Sequence, residues 1–524
     1  MPTRREFFGV AGKGAAFVSA GALLAACGSS ASSSTDASPA ASAGRPRAGG
    51  TLTAGLVGGS AKDTLDPHIS FDTIDTVRAL ALFSPLVRQQ VAGQDNEYIL
   101  AEELTPSADL RSWTIRLKPD LEFSNGKPIT AEDVLFTFRR ITDPKDPLNG
   151  AAPLSLLNTN DATILDSRTV RIGTNAPFGS FPQQISSGFN FQIVPVDFDP
   201  KNPVSSGAFK VKSFTPGQQS VFVRNEHYYK SGQPYLDQLT IVDLSDDQAG
   251  YNAVLTGQID AYGAALFSLA NEARSQSNLQ VLISYASQWI PFTLRVDKAP
   301  FTDVRVRQAF RLLANRPQLL QDAFSGYGVV GNDLYGWSDP DFPSDWKREQ
   351  DIPQAKSLLK AAGYDDAPVT LVTADFAPGA VALAQAFAQQ ASAAGVRINI
   401  DQVTTNTYEN GYGNWTFSQD WWNNHPYLAT AGLAFLPTGV WNETHFNNPQ
   451  YTALYKEANA TVDPARLREV KRAMWTIDFN QGSWVIPVDN QIIDVLGKHV
   501  QGFPRAATGT VLGDARFDQV WLSS

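Results

Sequence analysis

A single cysteine among 524 residues leaves no disulfide within the chain, so burial and hydrogen bonding must hold the fold together. Basic charge is also short. Lys and Arg number 42 against 52 Asp and Glu, a formal net charge of −10, and no basic stripe is available to neutralise phosphates. That argues against nucleic acid as a partner. Past the first 26 residues no apolar run is long enough to cross a bilayer as a helix. Motifs for hydrolysis are missing too. There is no Gly-x-Ser-x-Gly nucleophile elbow. Ser124–Lys127, Ser344–Lys347 and Ser357–Lys360 match Ser-x-x-Lys, yet no Ser-Asp-Asn or Lys-Thr-Gly partner element exists anywhere in the chain. The five histidines (His68, His227, His425, His445, His499) never take the His-Glu-x-x-His spacing that seats zinc on a helix. The acidic pairs Asp246-Asp247 and Asp365-Asp366 sit in polar, turn-like sequence and read as solvated loop charges. No catalytic residue, metal site or cofactor is expected.

What is present begins at the N-terminus. Arg4-Arg5 stand before Phe7-Phe8, and a mild apolar stretch rich in Ala and Gly runs from Gly9 to Ala26. It is too short and glycine-rich for a stable membrane span, and the paired arginines read as a twin-arginine export address. Leu24-Ala25-Ala26-Cys27 then resembles the bacterial lipobox, which makes Cys27 the expected lipid-anchor residue and residues 1–26 the signal peptide. A multiply acylated cysteine anchors stably where one chain gives only marginal binding. Residues 27–50 are rich in Ser, Ala, Gly and Pro without large apolar side chains, and read as a flexible tether. Removing residues 1–26 leaves 498, enough for two or three lobes. It also removes Arg4, Arg5 and Lys13 against Glu6, which leaves the mature chain near −12.

The body reads as α/β. Folded structure is expected from Thr51, and Trp113, Ile115 and Leu117 alternate as on a strand. Asn125-Gly126 is a hairpin-turn signal. Thr130–Asp133 looks like a capping box opening a helix striped by Val134, Leu135, Phe138 and Ile141, with Asp143-Pro144 ending it. Val369–Ala374 reads as a strand, Gly379–Ala394 as an alanine-rich helix ended by Gly395, and Val396, Ile398 and Ile400 as the next strand. Strand, helix, strand is a βαβ unit, which requires a parallel sheet. Eleven Trp, fifteen Tyr and thirty Phe supply core and, in part, a ligand cleft.

Four stretches in order carry a resemblance: LEFSNGKPITAEDV over 121–134, NPVSSGAFKV over 202–211, RNEHYY over 224–229 and APFTDVRVRQA over 299–309. Together they resemble family 5 of the extracellular solute-binding proteins, the dipeptide- and oligopeptide-binding lipoproteins of ABC importers. The resemblance implies a non-enzymatic, bilobal periplasmic-binding-protein-like clamp of the type II, large three-subdomain form. Lobe I would combine residues 51–85, 205–290 and 485–524, a subdomain would occupy 86–204, and lobe II would be 291–484. Crossings near Trp289 and Trp484–Pro487 would form the hinge, the partners would be a permease and an ATPase, and the chain itself would be exported and lipid-anchored to the outer face of the cytoplasmic membrane (or the periplasmic side). The chain is expected to be a monomer.

The resemblance also points to a site. Asp420 looks like the family aspartate that pairs with a peptide's α-ammonium; capping the next turn is the other reading. Trp421 and Trp422 are either a ligand-facing pocket or core at an apolar strand end. Phe417 stands where the family usually has Trp, and Asn423-Asn424-His425-Pro426 replaces its usual Asp-Pro. Arg295 departs from it as well, as does Asn315-Arg316 where Asp-Arg is common. The expected ligand contacts are therefore Asp420, Trp421, Trp422, Asn423, Phe417 and Trp289. The cargo is a short peptide, with an oligosaccharide or other polar solute as the alternative and an exported hydrolase the least favoured.

Overall fold

A computed structural model describes residues 44–523, apart from 71, 91–93, 188–189 and 365–366. Cys27, the expected signal peptide over 1–26 and most of the expected tether over 27–50 lie outside the described residues. Residues 44–50 have no regular secondary structure. They end with the Gly49 N–H donating to the Tyr235 carbonyl at 2.7 Å.

Three sheets organise the chain. At the centre of the largest, Thr51–Val57 buries Leu52, Ala54 and Leu56 and pairs in parallel with Gln238–Leu244, residue for residue from 51↔238 to 57↔244. Two more strands, Gln219–Arg224 and Phe209–Thr215, extend this side. On the other side, beyond Ala261–Tyr262, the long strands Val488–Gly497 and Leu279–Trp289 run antiparallel. The register of Leu279–Trp289 slips twice between Ile283 and Gln288, bending it just before its end.

The second sheet has the order Ile398–Gln402, Val369–Thr373, Phe417–Gln419, Phe292–Leu294, Trp484–Val485. Its first two strands are parallel and are joined by the helix Ala380–Ser392, so the expected βαβ unit is there. The third sheet, four antiparallel strands between Ala101 and Thr174, has its own core. Trp113, Ile115 and Leu117 point into that core as their alternation predicts, packed under the helix Ala131–Ile141. The Asp133 carboxylate accepts from both the N–H and hydroxyl of Thr130 at 2.8 Å, which starts the helix there. Asn125-Gly126 makes a tight turn closed by one bridge, Glu122 to Pro128, rather than a hairpin of two strands.

The chain passes between the first two sheets through Ile290-Pro291 and again through Ile486-Pro487. Two short strands within 291–484 join the larger sheet instead of the second. Gly328–Val330 pairs with Val488–Gly497, and Trp422–Asn423 pairs with the end of Leu279–Trp289. One apolar core continues across the crossing, where Phe267 of the first unit meets Phe324 edge-on at 5.7 Å and stacks on Tyr327 at 5.9 Å. The departure from the family pattern at Asn315 has a local role, beside an arginine that the pattern keeps. Asn315 caps the helix Arg316–Phe324, and Arg316 grips Asp333 with two bonds of 2.7 and 2.8 Å.

Candidate functional site

Strand alternation splits the crossing strands into two faces. Gln288 lies opposite both Asn423 and Asn490, whereas Trp289 lies opposite both Trp422 and Asp489. The first set forms a lateral row of amides: Gln288 Nε2 donates to Asn423 Oδ1 at 3.1 Å, and Asn490 Nδ2 donates to Gln288 Oε1 at 3.3 Å. This row floors a cleft of about 160 Å³. Its walls come from segments far apart in the chain: Thr73 and Thr76 on the helix Thr73–Leu82, Asn190, Phe376–Pro378 and Trp421, and Gly509–Val511 of the C-terminal segment. Among the described residues none that lines it is charged. Apolar walls with a few convergent polar groups are what small-ligand sites have.

The expected site residues separate by face. Trp421 and Asn423 line the cleft. Trp422 points the other way and is 2 % exposed, with its ring 5.2 Å from Trp484 and 5.5 Å from Trp441. Trp289 is fully buried in the same cluster. Phe417 lies deeper still, among the rings of Phe292, Phe301 and Phe310. Asp420 is buried directly behind the wall. Its Oδ1 accepts from the Trp421 N–H at 2.7 Å, and its Oδ2 accepts from Trp422 Nε1 at 2.7 Å and the Tyr412 hydroxyl at 3.3 Å. Its own N–H donates to the Pro291 carbonyl, tying it to the crossing. Gln288 and Asn490 were not anticipated from the sequence. The available signal was positional, since each stands within three residues of a crossing already singled out.

Charge is concentrated under the cleft instead. On the helix that supplies Thr73 and Thr76, the buried Arg78 donates to Asp63 at 2.7 Å and Asp75 at 2.9 Å, and pairs with Asp243. Burial, and for Asp75 the neighbouring Asp72 charge, push Asp75 and Asp243 up to about 7. Asp63, Asp72 and Asp75 place carboxylate oxygens within 4.8 Å of one another, a donor set suited to a hard cation. Arg78 already donates to two of the three. Asp489, on the tryptophan face, has no such help: its Oδ1 is unpartnered among the described residues, and burial pushes it up to about 8.

The sequence model of the bacterial extracellular solute-binding proteins, family 5 (middle region), matches residues 97–442. The chain belongs to this family. Its members are binding subunits of ABC importers rather than enzymes. Among family 5 relatives, the glutathione-binding protein GsiB of Escherichia coli K12 is 24 % identical over 481 residues, covering 85 % of this chain and 90 % of GsiB. AgaA from A. tumefaciens R10, solved with agropinic acid, superposes with a TM-score of 0.77 at 22 % identity, over 91 % of this chain and 99 % of AgaA. The oligopeptide-binding protein AppA of Bacillus subtilis, solved with a nonapeptide, gives 0.73 at 19 %, over 92 % and 100 %. Both share the fold of this family 5 chain. Among its described residues no helix is long and apolar enough to cross a membrane.

Proposed function

We propose that this chain captures a short peptide, or a small polar solute related to one, and delivers it to a membrane permease. The observation that carries the reading is the cleft: walls drawn from segments far apart in the chain around an uncharged amide floor. Asparagine and glutamine amides both donate and accept, as peptide groups do, so they satisfy a peptide main chain without selecting its side chains. Closure is favoured by the contacts a ligand gains only when both lobes reach it. The crossings at Ile290-Pro291 and Ile486-Pro487 serve as the hinge in this reading, between a first lobe of 51–85, 205–290 and 485–524 and a second of 291–484. Asp420 receives the ligand's α-ammonium once the Tyr412 hydroxyl, bonded to its Oδ2 at 3.3 Å, gives way. Export by the twin-arginine signal and acylation of Cys27 keep a monomeric captor near its permease at a concentration set by the tether.

One observation favours a second ligand class on the same scaffold. Trp421 beside a row of amides and hydroxyls suits a neutral sugar, for which an uncharged lining is no handicap. A thermal-shift screen decides between them, because binding raises the melting temperature by mass action. Di- to pentapeptides should raise it. If they leave it unchanged and maltotriose raises it, the peptide reading is wrong. Replacing Cys27 by Ser should release the expressed protein from membranes into the soluble fraction; retention on the membrane would refute the anchor.

A further inference from the structure

The amide row on the cleft floor has a fixed direction. Gln288 Nε2 donates to the main-chain carbonyl of Gly509 at 3.2 Å as well as to Asn423 Oδ1. A main-chain carbonyl can only accept, so the Gln288 amide is locked with its nitrogen toward Gly509. Its oxygen therefore takes the proton of Asn490 Nδ2. Flipping either asparagine would set oxygen against oxygen or nitrogen against nitrogen. The row thus ends on a donor, Asn423 Nδ2, at one side and on an acceptor, Asn490 Oδ1, at the other. Asn490 is 5 % exposed, and its Oδ1 has no hydrogen-bond partner among the described residues. A buried acceptor in that state is unfavourable until a donor reaches it.

Asn423, Gln288 and Asn490 sit on three successive strands. Neighbouring strands are about 4.8 Å apart, which separates the two ends of the row by about 10 Å. An extended peptide advances about 3.3 Å per residue, so about three residues bridge them.

We propose that this row sets the register and the minimum length of the cargo. An extended, uncharged peptide segment lies across the three strands, with a carbonyl oxygen on Asn423 Nδ2 and, about three residues further on, an N–H on Asn490 Oδ1. The inference rests on the peptide-capture reading and adds polarity and length to it. The carbonyl end is at Asn423, three residues after Asp420 in sequence, and the capture reading, in which Asp420 takes the α-ammonium, puts the amino terminus at that end. A carboxylate or phosphate is rejected at Asn490, where oxygen would face oxygen with no cationic side chain in the lining to offset it. A dipeptide is too short to engage both ends.

The test is calorimetric titration of the full chain with Ala-Phe, with Ala-Phe-Ala-Ala, and with the tetrapeptide N-methylated at residue 2, 3 or 4 in turn. The tetrapeptide should bind at least tenfold more tightly than the dipeptide. N-methylation at residue 3 or 4 should cost tenfold or more at one of the two positions, and at residue 2 less than threefold. Asn490→Leu should weaken the tetrapeptide about tenfold, leave the dipeptide unchanged, and not lower the melting temperature of the unliganded protein, which a merely structural role would. Equal binding of dipeptide and tetrapeptide, or indifference to N-methylation at both positions, overturns the row's role while leaving peptide capture standing. Binding of maltotriose with no binding of either peptide overturns the capture reading and the inference with it. Should Asn490→Leu not fold, the N-methyl series on the unaltered protein decides alone.

Discussion

The strands at the crossing carry opposite chemistry on their two faces. Toward the cleft, Asn423, Gln288 and Asn490 bond to one another as neutral amides. Away from it, Trp422, Trp289 and Asp489 occupy the same three strands inside an aromatic core. One face keeps polar groups that can be shared with a ligand at little cost in desolvation. The other gains stability from its rings and holds a carboxyl whose Oδ1 has no hydrogen-bond partner among the described residues. Recognition and stability are thus divided by strand alternation alone, one residue apart, and substitutions on the two faces should have separable effects.

The largest effect belongs to the aromatic face. Trp422→Ala removes a ring packed against Trp441 and Trp484 and the indole donor to Asp420. Large-to-small changes at such sites cost about 3–5 kcal/mol. Denaturant unfolding should show a loss of that size; a loss below 1 kcal/mol would break the division.

Asp489→Asn comes next, with the opposite sign. The carboxyl has a folded pKa of about 8 against an ordinary value near 4. Between about pH 4 and 8 the folded chain therefore holds a proton that the unfolded chain has released, and stability falls as pH rises through that window. The substitution should raise stability at pH 8 by a few kcal/mol and flatten the pH dependence. A residual slope of the same sign should persist, because burial also pushes Asp478 and Asp494 up to about 7. An unchanged melting-temperature profile from pH 5 to 8 would show that Asp489 is solvated or paired.

Asp420 joins the two faces, since it holds Trp422 from behind and Trp421 of the cleft wall by its N–H. Asp420→Asn keeps an acceptor for those donors but removes the charge. Loss of a charge-assisted bond of about 1.5–3 kcal/mol should weaken a tetrapeptide with a free amino terminus by roughly 10- to 100-fold. The same peptide N-acetylated should bind the variant and the parent equally. Equal loss for both peptides would assign Asp420 to wall support alone.

Much of this architecture could be read from local pattern. The βαβ unit at Val369–Gln402 and the helix at Ala131–Ile141 follow from periodicity and capping, which are properties of neighbouring residues. Trp422 and Asn423 were both named, but their facing was not decidable. It depends on pairing with Trp289 and Gln288, more than 130 positions away, and a one-residue change of register would exchange the two faces. Gln288 and Asn490 stayed unseen for the same reason: an isolated amide in a strand has no signature until its cross-strand neighbours are known. Asp246 and Asp247 were read as solvated loop charges; Asp246 is exposed but caps the helix Asp247–Thr256, and the half-buried Asp247 accepts the Tyr262 hydroxyl. That needs a partner strand that local sequence does not reveal.

The smallest effect should fall on Trp421, and it sharpens the comparison most. It is half-buried, and it lines the cleft beside Asn423 while Trp422, the next residue, serves the core. Trp421→Ala removes cleft wall and the contact of a half-buried ring with the edge of the core, so stability should fall by about 1–2 kcal/mol, less than for Trp422→Ala. Its ring offers a face to ligand side chains or to a sugar ring, and losing one such contact should weaken binding about 3- to 10-fold, or about 0.5–1.5 kcal/mol. Peptides with and without an aromatic side chain, each measured against parent and variant, locate that contact. A weakening confined to the aromatic peptide marks Trp421 as a side-chain pocket. A stability loss as large as that of Trp422→Ala would show that both tryptophans belong to the core, and that the cleft reads its ligand with amides alone.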